Sequence, residues 1–202
     1  MLTAIMPDTK SWCKQSMLGQ CINIEALNNC LNENIFLDKF TYCICVDFFL
    51  FGIESFFSSF KKFLQKLKED SLYIGIVSKG ELLYCFEYDL NSKDESFFQR
   101  VIDESFHNAT DKDEAFKIVL YTKNCNWVAL FDLNYELGIF TFEDMDIATQ
   151  FVEEMERRDL YTPKEVVESI WHNPKKSIAK KFLKLYEPIA YPLEEYIEEK
   201  SQ

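Results

Sequence analysis

Histidine and cysteine, the usual residues for acid–base and nucleophilic chemistry near neutral pH, are scattered along this sequence. The 202 residues include only two histidines, His107 and His172, and each lies near the end of a predicted helix, where a positive charge suits the helix dipole. Cys125 lies in a predicted turn, but a cysteine nucleophile needs a nearby base, and no nucleophile motif surrounds it. The pattern is more typical of helix caps and packed thiols than of a catalytic centre.

Metal binding is a second chemistry that these residue types could support. Cys43 and Cys45 are two residues apart on a predicted strand, so both thiols lie on one face, and Cys85 lies on another strand. A structural zinc site needs four ligands, and no fourth is indicated. Burial of the thiols as small hydrophobic groups is therefore favoured, and we expect neither a metal nor another cofactor.

Carboxylate pairs are a third possibility. Glu87 and Asp89 share one face of a predicted strand, and Asp132 and Glu136 flank a predicted turn, across which we expect them to face each other. Such pairs can act as acid and base or bind a divalent ion, although a carboxylate at a strand end or turn is more often solvated or capping. We favour that role for Glu87 and Asp89, and a partner-binding role for Asp132 and Glu136.

The partner-binding interpretation depends on the acidic helix predicted directly after this turn and strand. Its carboxylates would add to those of the turn, and the candidate residues are Asp132, Tyr135, Glu136, Asp144, Asp146, Glu153 and Glu154. The aromatic residues of this segment are expected to differ in burial. Alternation along a strand favours the core for Trp127 and Phe131, whereas Tyr135 is expected to be exposed in its turn. The five glycines are isolated, so no phosphate-binding loop is indicated.

The net charge of the chain narrows the classes of partner. It is −12 at pH 7, and most of the excess lies in residues 87–114 and 132–160. An acidic face repels nucleic acid and attracts a basic protein, whose encounter it accelerates. The alternative is that the acidic surface only keeps the protein soluble.

Size and cysteine usage predict a single domain, residues 1–202, in a reducing compartment. The length suits one domain, and 19 phenylalanines argue against disorder. The seven cysteines form no CxxC pair, which does not fit a secreted disulfide scaffold. No signal peptide or membrane-spanning run is predicted, and we expect a cytoplasmic protein.

The predicted elements follow from apolar periodicity. Residues 42–51 predict a strand in the centre of a sheet, and residues 54–68 predict a helix with one buried stripe. Two strands, 72–78 and 81–88, predict a hairpin. Weaker patterns predict helices over residues 11–18 and 24–31, and a capping box predicts another helix from residue 92 to about residue 106.

The C-terminal half predicts a three-stranded meander and then helices. The strands 115–122, 127–133 and 136–142 have short links and must be antiparallel, and the acidic helix follows over residues 143–158. Helices are also predicted over residues 163–199, beginning at a capping box at Thr162 and Glu165. The fold class is α+β, with a mainly antiparallel sheet, helices packed on it and a helical C-terminal region.

The segment NWVALFDLNYELGIFTFED resembles a strand–turn–strand found in immunity proteins of bacterial contact-dependent inhibition and polymorphic toxin systems. The resemblance depends on Trp127, Asp132, Glu136 and Gly138 and covers about a tenth of the chain. It implies an acidic, cytoplasmic α+β protein that binds one toxin domain and blocks its active site. Toxin domains of this kind are often basic nucleases.

We therefore expect a non-enzymatic inhibitor that binds a basic toxin domain and neither nucleic acid nor membrane. Two alternatives stay open. The first is an enzyme of an unrecognised class that uses carboxylates or a lone cysteine. The second is an adaptor that forms dimers through the C-terminal helices, with Trp171, Tyr186 and Tyr191 in the interface; the sequence does not fix the oligomeric state.

Overall fold

The centre of the fold is a six-stranded sheet with the strand order β1-β6-β5-β4-β2-β3. The computed structural model describes residues 18–23, 26, 31, 34–78, 81–92, 116–171 and 174–194. Every strand pair is antiparallel, which confirms the α+β class and the mainly antiparallel sheet. The strands are β1 (Tyr42–Asp47), β2 (Ser71–Ser78), β3 (Glu81–Asp89), β4 (Phe116–Tyr121), β5 (Trp127–Asp132) and β6 (Leu137–Phe142).

The helices within the described residues follow the predicted order. They are α1 (Glu54–Lys66), α2 (Met145–Glu154), α3 (Pro163–Glu165), which continues as a wider π-helical turn over Val166–Ile170, and α4 (Lys176–Tyr186). In the described part of the chain, no helix combines the length and the apolar character needed to cross a bilayer.

One face of the sheet lies under α1 and α2 and forms an aromatic core. Trp127 of β5 meets Phe60 of α1 edge to face, with ring centroids 5.5 Å apart, and Phe140 of β6 lies 4.5 Å from Phe151 of α2. All four side chains are completely buried. Packing of this kind contributes beyond area burial alone, and it fixes both helices on the sheet.

The other face lies under the described residues between 18 and 40 and under the C-terminal helices. Val128, Leu130 and Ile139 from the sheet pack in one cluster with Phe182 and Tyr186 of α4. The strands are therefore buried on both faces, which explains why β5 and β6 read as continuous apolar runs rather than as alternating ones.

The first strand differs from its prediction in two respects. It ends at Asp47, because the Asp47 carboxylate accepts the Phe49 N–H and caps a 3₁₀ turn over Phe48–Gly52. It is also an edge strand and not a central one, although both of its faces are buried. The main chain of Tyr161 exchanges two hydrogen bonds with Cys45, and the Tyr191 N–H donates to the Cys43 carbonyl, so this edge is covered.

Most other predicted elements are confirmed. The helix over 54–68, the hairpin and the meander all form, and Thr162 and Glu165 form the predicted capping box. The acidic helix is shorter than predicted, because Met155 leaves the helical conformation. The helices predicted over residues 11–18, 24–31, 92–106 and 193–199 lie largely outside the described residues.

Candidate functional site

The predicted acidic residues do not form one surface, because the sheet separates them. The turn that carries Glu136 joins β5 to β6 at one end of the sheet. Strand β6 then runs about 17 Å to the opposite end, where Asp144 and Asp146 begin α2. The end with Glu136 is called the β5–β6 turn end below, and the other is called the α2 end.

Asp132 is not a surface residue. It is completely buried, because alternation along β5 directs it to the same face as Val128 and Leu130. Its carboxylate lies 3.8 Å from the Lys117 ammonium and accepts the Asn134 N–H at 3.0 Å. Burial raises its pKa, although Lys117 and the bond from Asn134 oppose the rise. The expectation that Asp132 faces Glu136 across the turn is therefore wrong.

Two of the predicted acids are paired within the chain. The Lys66 ammonium of α1 lies 2.6 Å from Glu154 and 3.5 Å from Glu153. The hydrogen bond from Lys66 to Glu154 is the main cause of the raised pKa of Lys66. These carboxylates link α1 to α2 on the surface, so their charge is partly compensated before any partner arrives.

The predicted aromatic residues lie mostly in the interior. Trp127 and Phe131 are completely buried, as alternation favours. Tyr135 is half-buried rather than exposed, because its ring packs against that of Trp171, with ring centroids 5.5 Å apart. The indole N–H of Trp171 also donates to the Tyr135 carbonyl. Tyr186 and Tyr191 are also buried within the chain, so neither is presented for a dimer contact.

At the α2 end, three exposed acids surround an exposed methionine. Glu143, Asp144 and Asp146 flank Met145, whose side chain is 44% exposed. The Asp144 carboxylate caps α2 by accepting the Ile147 N–H at 2.9 Å, and Glu143 lies 3.7 Å from Lys39. Negative charge at a helix N-terminus is favoured by the helix dipole, so the fold alone accounts for much of this cluster.

A surface that the sequence analysis missed lies at the β5–β6 turn end. Phe49 is 53% exposed and Ile53 is 46% exposed, the two most exposed large hydrophobic side chains among the described residues. The Asp47 carboxylate accepts the Phe49 N–H at 2.7 Å, and the neighbouring Phe48 N–H donates to the Glu136 carbonyl. We call this the Phe49 surface, and it comprises Asp47, Phe49, Ile53, Glu54, Glu136 and Asp159.

The acids of the Phe49 surface concentrate negative charge. The pKa of Asp159 is raised by burial, with further contributions from Glu156 and Asp47 against the opposing effect of Arg158. Burial also raises the pKa of Tyr161, and both Asp47 and Asp159 add to that rise. Glu54 and Glu136 are also exposed, and the Glu136 carbonyl accepts the Phe48 N–H next to Phe49. We interpret this surface as an apolar centre with an acidic rim.

The local sequence explains why Phe49 is exposed. Its neighbour Phe48 is buried against Phe131, with ring centroids 6.2 Å apart, and Gly138 leaves the space that the Phe131 ring occupies. The 3₁₀ turn begun by Asp47 then turns Phe49 outward. From the sequence, the exposure of Phe49 could have been predicted only by recognising Asp47 as a helix N-cap inside the apolar run.

The predicted carboxylate pair on β3 is used locally. Glu87 accepts a hydrogen bond from the Tyr73 hydroxyl at 3.1 Å, and Asp89 caps a turn by accepting the Asn91 N–H at 2.8 Å. The capping role favoured for Asp89 is confirmed.

The cysteines considered for metal binding are not brought together. Cys43 and Cys45 lie on β1 and Cys85 lies on β3, at opposite edges of the sheet and about 24 Å apart at ordinary strand spacing. No group of three or more potential metal ligands occurs within the described ranges. His107 and His172 lie outside the described residues. Cys125 is buried, and its thiol donates to the Thr122 carbonyl at 3.4 Å.

Comparison with known proteins gives no match: no protein-family model, curated protein or solved structure is significantly similar to this chain.

Proposed function

We propose that this chain is a non-enzymatic immunity protein that binds a basic toxin domain in the cytoplasm through the Phe49 surface. The observation that carries the proposal is the exposed Phe49 side chain inside an acidic rim. A large exposed aromatic group at the centre of a polar rim is the usual anatomy of a protein interface, and aromatic anchors contribute most of the binding energy in many complexes.

The charge of the rim selects the class of partner. Asp47, Glu54, Glu136 and Asp159 all carry carboxylates, and the nearby Arg158 is engaged by Glu156 at 2.7 Å. Complementary charge accelerates association and excludes partners of the same sign. A basic domain fits this surface, whereas the phosphate backbone of a nucleic acid does not.

The mechanism of inhibition is steric and electrostatic. The rim carboxylates pair with cationic residues that line the toxin's cleft, and Phe49 enters an apolar position between them. The surface is rigid because Asp47 caps its turn and Phe48 anchors it to the core, so little conformational entropy is lost on binding.

The test uses the product of the gene next to the one that encodes this chain. Its C-terminal domain is expressed in a bacterial host with and without this chain, and growth is measured. The purified pair is then titrated by calorimetry. The proposal predicts that the neighbouring domain is toxic alone, that this chain restores growth, and that the two form a one-to-one complex.

A pair of charge reversals locates the surface. Glu136→Lys changes the rim, whereas Asp146→Lys makes the same change at the α2 end, and both side chains are exposed. We expect Glu136→Lys to slow association severalfold at low salt and Asp146→Lys to have little effect. An inert neighbouring product refutes the immunity role, and a larger effect of Asp146→Lys refutes the assignment of the surface.

A further inference from the structure

Helix α4 carries a positively charged face on a chain whose net charge is −12. Its 11 residues contain no acidic side chain, and a further lysine, Lys175, directly precedes them. The four lysines of the helix are all exposed, and we call them the lysine face: Lys176, Lys180, Lys181 and Lys184. This helix therefore has the opposite sign from the acidic surfaces of the molecule.

The packing of α4 directs these lysines away from the protein. Phe182 and Tyr186 are buried on the inner side of the helix, with ring centroids 4.9 Å apart. Because a helix has 3.6 residues per turn, successive side chains are about 100° apart around its axis. Lys180, Lys181 and Lys184 consequently lie on the side opposite to the buried rings, and the lysine face is held outward by the core.

Neither helix stability nor ion pairing within the chain explains the lysine face. Lys176 lies in the first turn of α4, where a positive charge opposes the helix dipole, and no side chain caps this end. Lys180 is four residues from both Lys176 and Lys184, and like charges at this spacing destabilise a helix. Within the described ranges, the lysine face forms no ion pair. A feature that opposes local stability is better explained by a binding role.

The Phe49 surface of a second copy has the complementary chemistry. Its carboxylates form no ion pair with the lysine face of their own chain, as far as the structure describes them. A lysine has an apolar stem and a charged head, so adjacent lysines can contact an aromatic ring through their stems and pair with carboxylates through their heads. The chain already contains contacts of this kind, because Lys39 Nζ lies 5.0 Å from the centre of the Phe40 ring.

Nucleic acids and membranes fit the lysine face less well than a second copy does. Single-stranded nucleic acid is usually bound by exposed aromatic side chains that stack on the bases, whereas Phe182 and Tyr186 of α4 are buried. The helix also contains no arginine, the residue best suited to pair with a phosphate through two hydrogen bonds. An extended polyanion would in addition meet the acidic remainder of the chain.

We propose that the lysine face binds the Phe49 surface of a second copy, so that the free protein associates head to tail. The proposal rests on the Phe49 surface of the proposed function, and it means that the toxin domain must displace this contact. Repulsion between two acidic copies is screened beyond about 8 Å at physiological ionic strength. The groups in contact therefore decide whether the copies associate.

The test is sedimentation velocity of the purified chain alone at increasing concentration and physiological ionic strength. We expect the average mass to rise with concentration. Lys180→Glu combined with Lys181→Glu, and separately Phe49→Ala, should weaken this association about tenfold or more. Lys62→Glu combined with Lys123→Glu makes the same change in net charge at two other exposed lysines and should leave the association unchanged.

A complementary pair of variants tests whether the contact joins two copies. Glu54→Lys combined with Glu136→Lys reverses two exposed carboxylates of the Phe49 surface, and this variant alone should not associate. Mixing it with the variant that carries Lys180→Glu and Lys181→Glu should restore association, because each reversed surface then meets a partner of opposite charge. A folding defect in either variant would not produce this restoration.

Two results would overturn the proposal. One is a chain that stays monomeric at every concentration, and the other is an association that the reversals at Lys180 and Lys181 leave unchanged. Binding to phosphatidylserine vesicles or to poly(U) RNA that these reversals abolish, without self-association, would assign the lysine face to a membrane or to nucleic acid instead. Because the measurement uses this chain alone, an inert neighbouring gene product would refute the immunity role without affecting this result.

Discussion

Gly138 allows a test of how the core supports the Phe49 surface. It lies on β6 between Phe131 of β5 and Val46 of β1 in the strand register. A methyl group at this position would come within 2.5 Å and 2.6 Å of the Phe131 ring and within 2.7 Å of Val46. Both neighbours are completely buried, so neither can move without displacing others. We therefore predict that Gly138→Ala destabilises the protein.

Gly75 provides a matched control on β2. A methyl group there would meet Leu82 Cδ1 at 2.9 Å, and its next neighbours would be at 3.8 Å. That atom is the end of a flexible side chain, which can rotate away. Overpacking a tight core typically costs about 1–3 kcal/mol, and replacing glycine returns about 0.4–1 kcal/mol by restricting the unfolded chain. We expect a net loss of about 1–2 kcal/mol for Gly138→Ala and about zero for Gly75→Ala.

The assay is urea unfolding at 25 °C, followed by tryptophan fluorescence, with the free energy taken from linear extrapolation. The loss of entropy in the unfolded chain is common to both variants, so the difference between them measures how much worse the clash is at Gly138 than at Gly75. If Gly138→Ala is as stable as Gly75→Ala, then Gly138 is not required for close packing, and the account of how Phe131 and Phe48 support Phe49 is wrong.

Three further predictions concern the capping box at the start of α3 and the buried ion pair. Thr162→Ala removes the acceptor of the Glu165 N–H at 3.2 Å and should cost about 1 kcal/mol in urea unfolding. The pKa of Glu165 is lowered because hydrogen bonds from Thr162 and Arg157 outweigh burial. The ionised Glu165 therefore stabilises the fold above its ordinary pKa, and this stabilisation is lost as the pH falls through the lowered pKa. Glu165→Gln should make the loss of stability at acid pH less steep. The raised pKa of Asp132 means that the cost of desolvating its carboxylate exceeds the attraction of Lys117. Asp132→Asn combined with Lys117→Met should therefore leave the free energy of unfolding unchanged or higher. A loss above about 2 kcal/mol would contradict this.

The sequence predicts the sheet and helices well where local signals and packing agree. The meander is marked by its short links, and α3 is marked by Thr162 and Glu165. The position of β1 was not predictable in the same way, because a strand buried on both faces has the same apolar pattern at an edge as in the centre. The outer side of β1 is covered by main-chain hydrogen bonds with Tyr161 and Tyr191 instead of by another strand. No local sequence pattern indicates these tertiary contacts.

The candidate surface was less predictable than the fold. Acids that are close in sequence were expected to be close in space, but β6 carries the chain from one end of the sheet to the other between Glu136 and Asp144. Asp132 was expected on the surface, although strand alternation directs it inward. Phe49 was hidden in an apolar run, since burial of Phe48 and exposure of Phe49 depend on the turn that Asp47 caps.

The most direct measurement of the central claim compares Phe49→Ala with Met145→Ala in binding to the neighbouring toxin domain. The two side chains are 53% and 44% exposed, they lie at opposite ends of the sheet, and neither truncation leaves a core cavity. An interface anchor contributes about 2 kcal/mol or more, so calorimetry should show Kd raised about 30-fold by Phe49→Ala and unchanged by Met145→Ala. An unchanged Kd for Phe49→Ala would contradict the account.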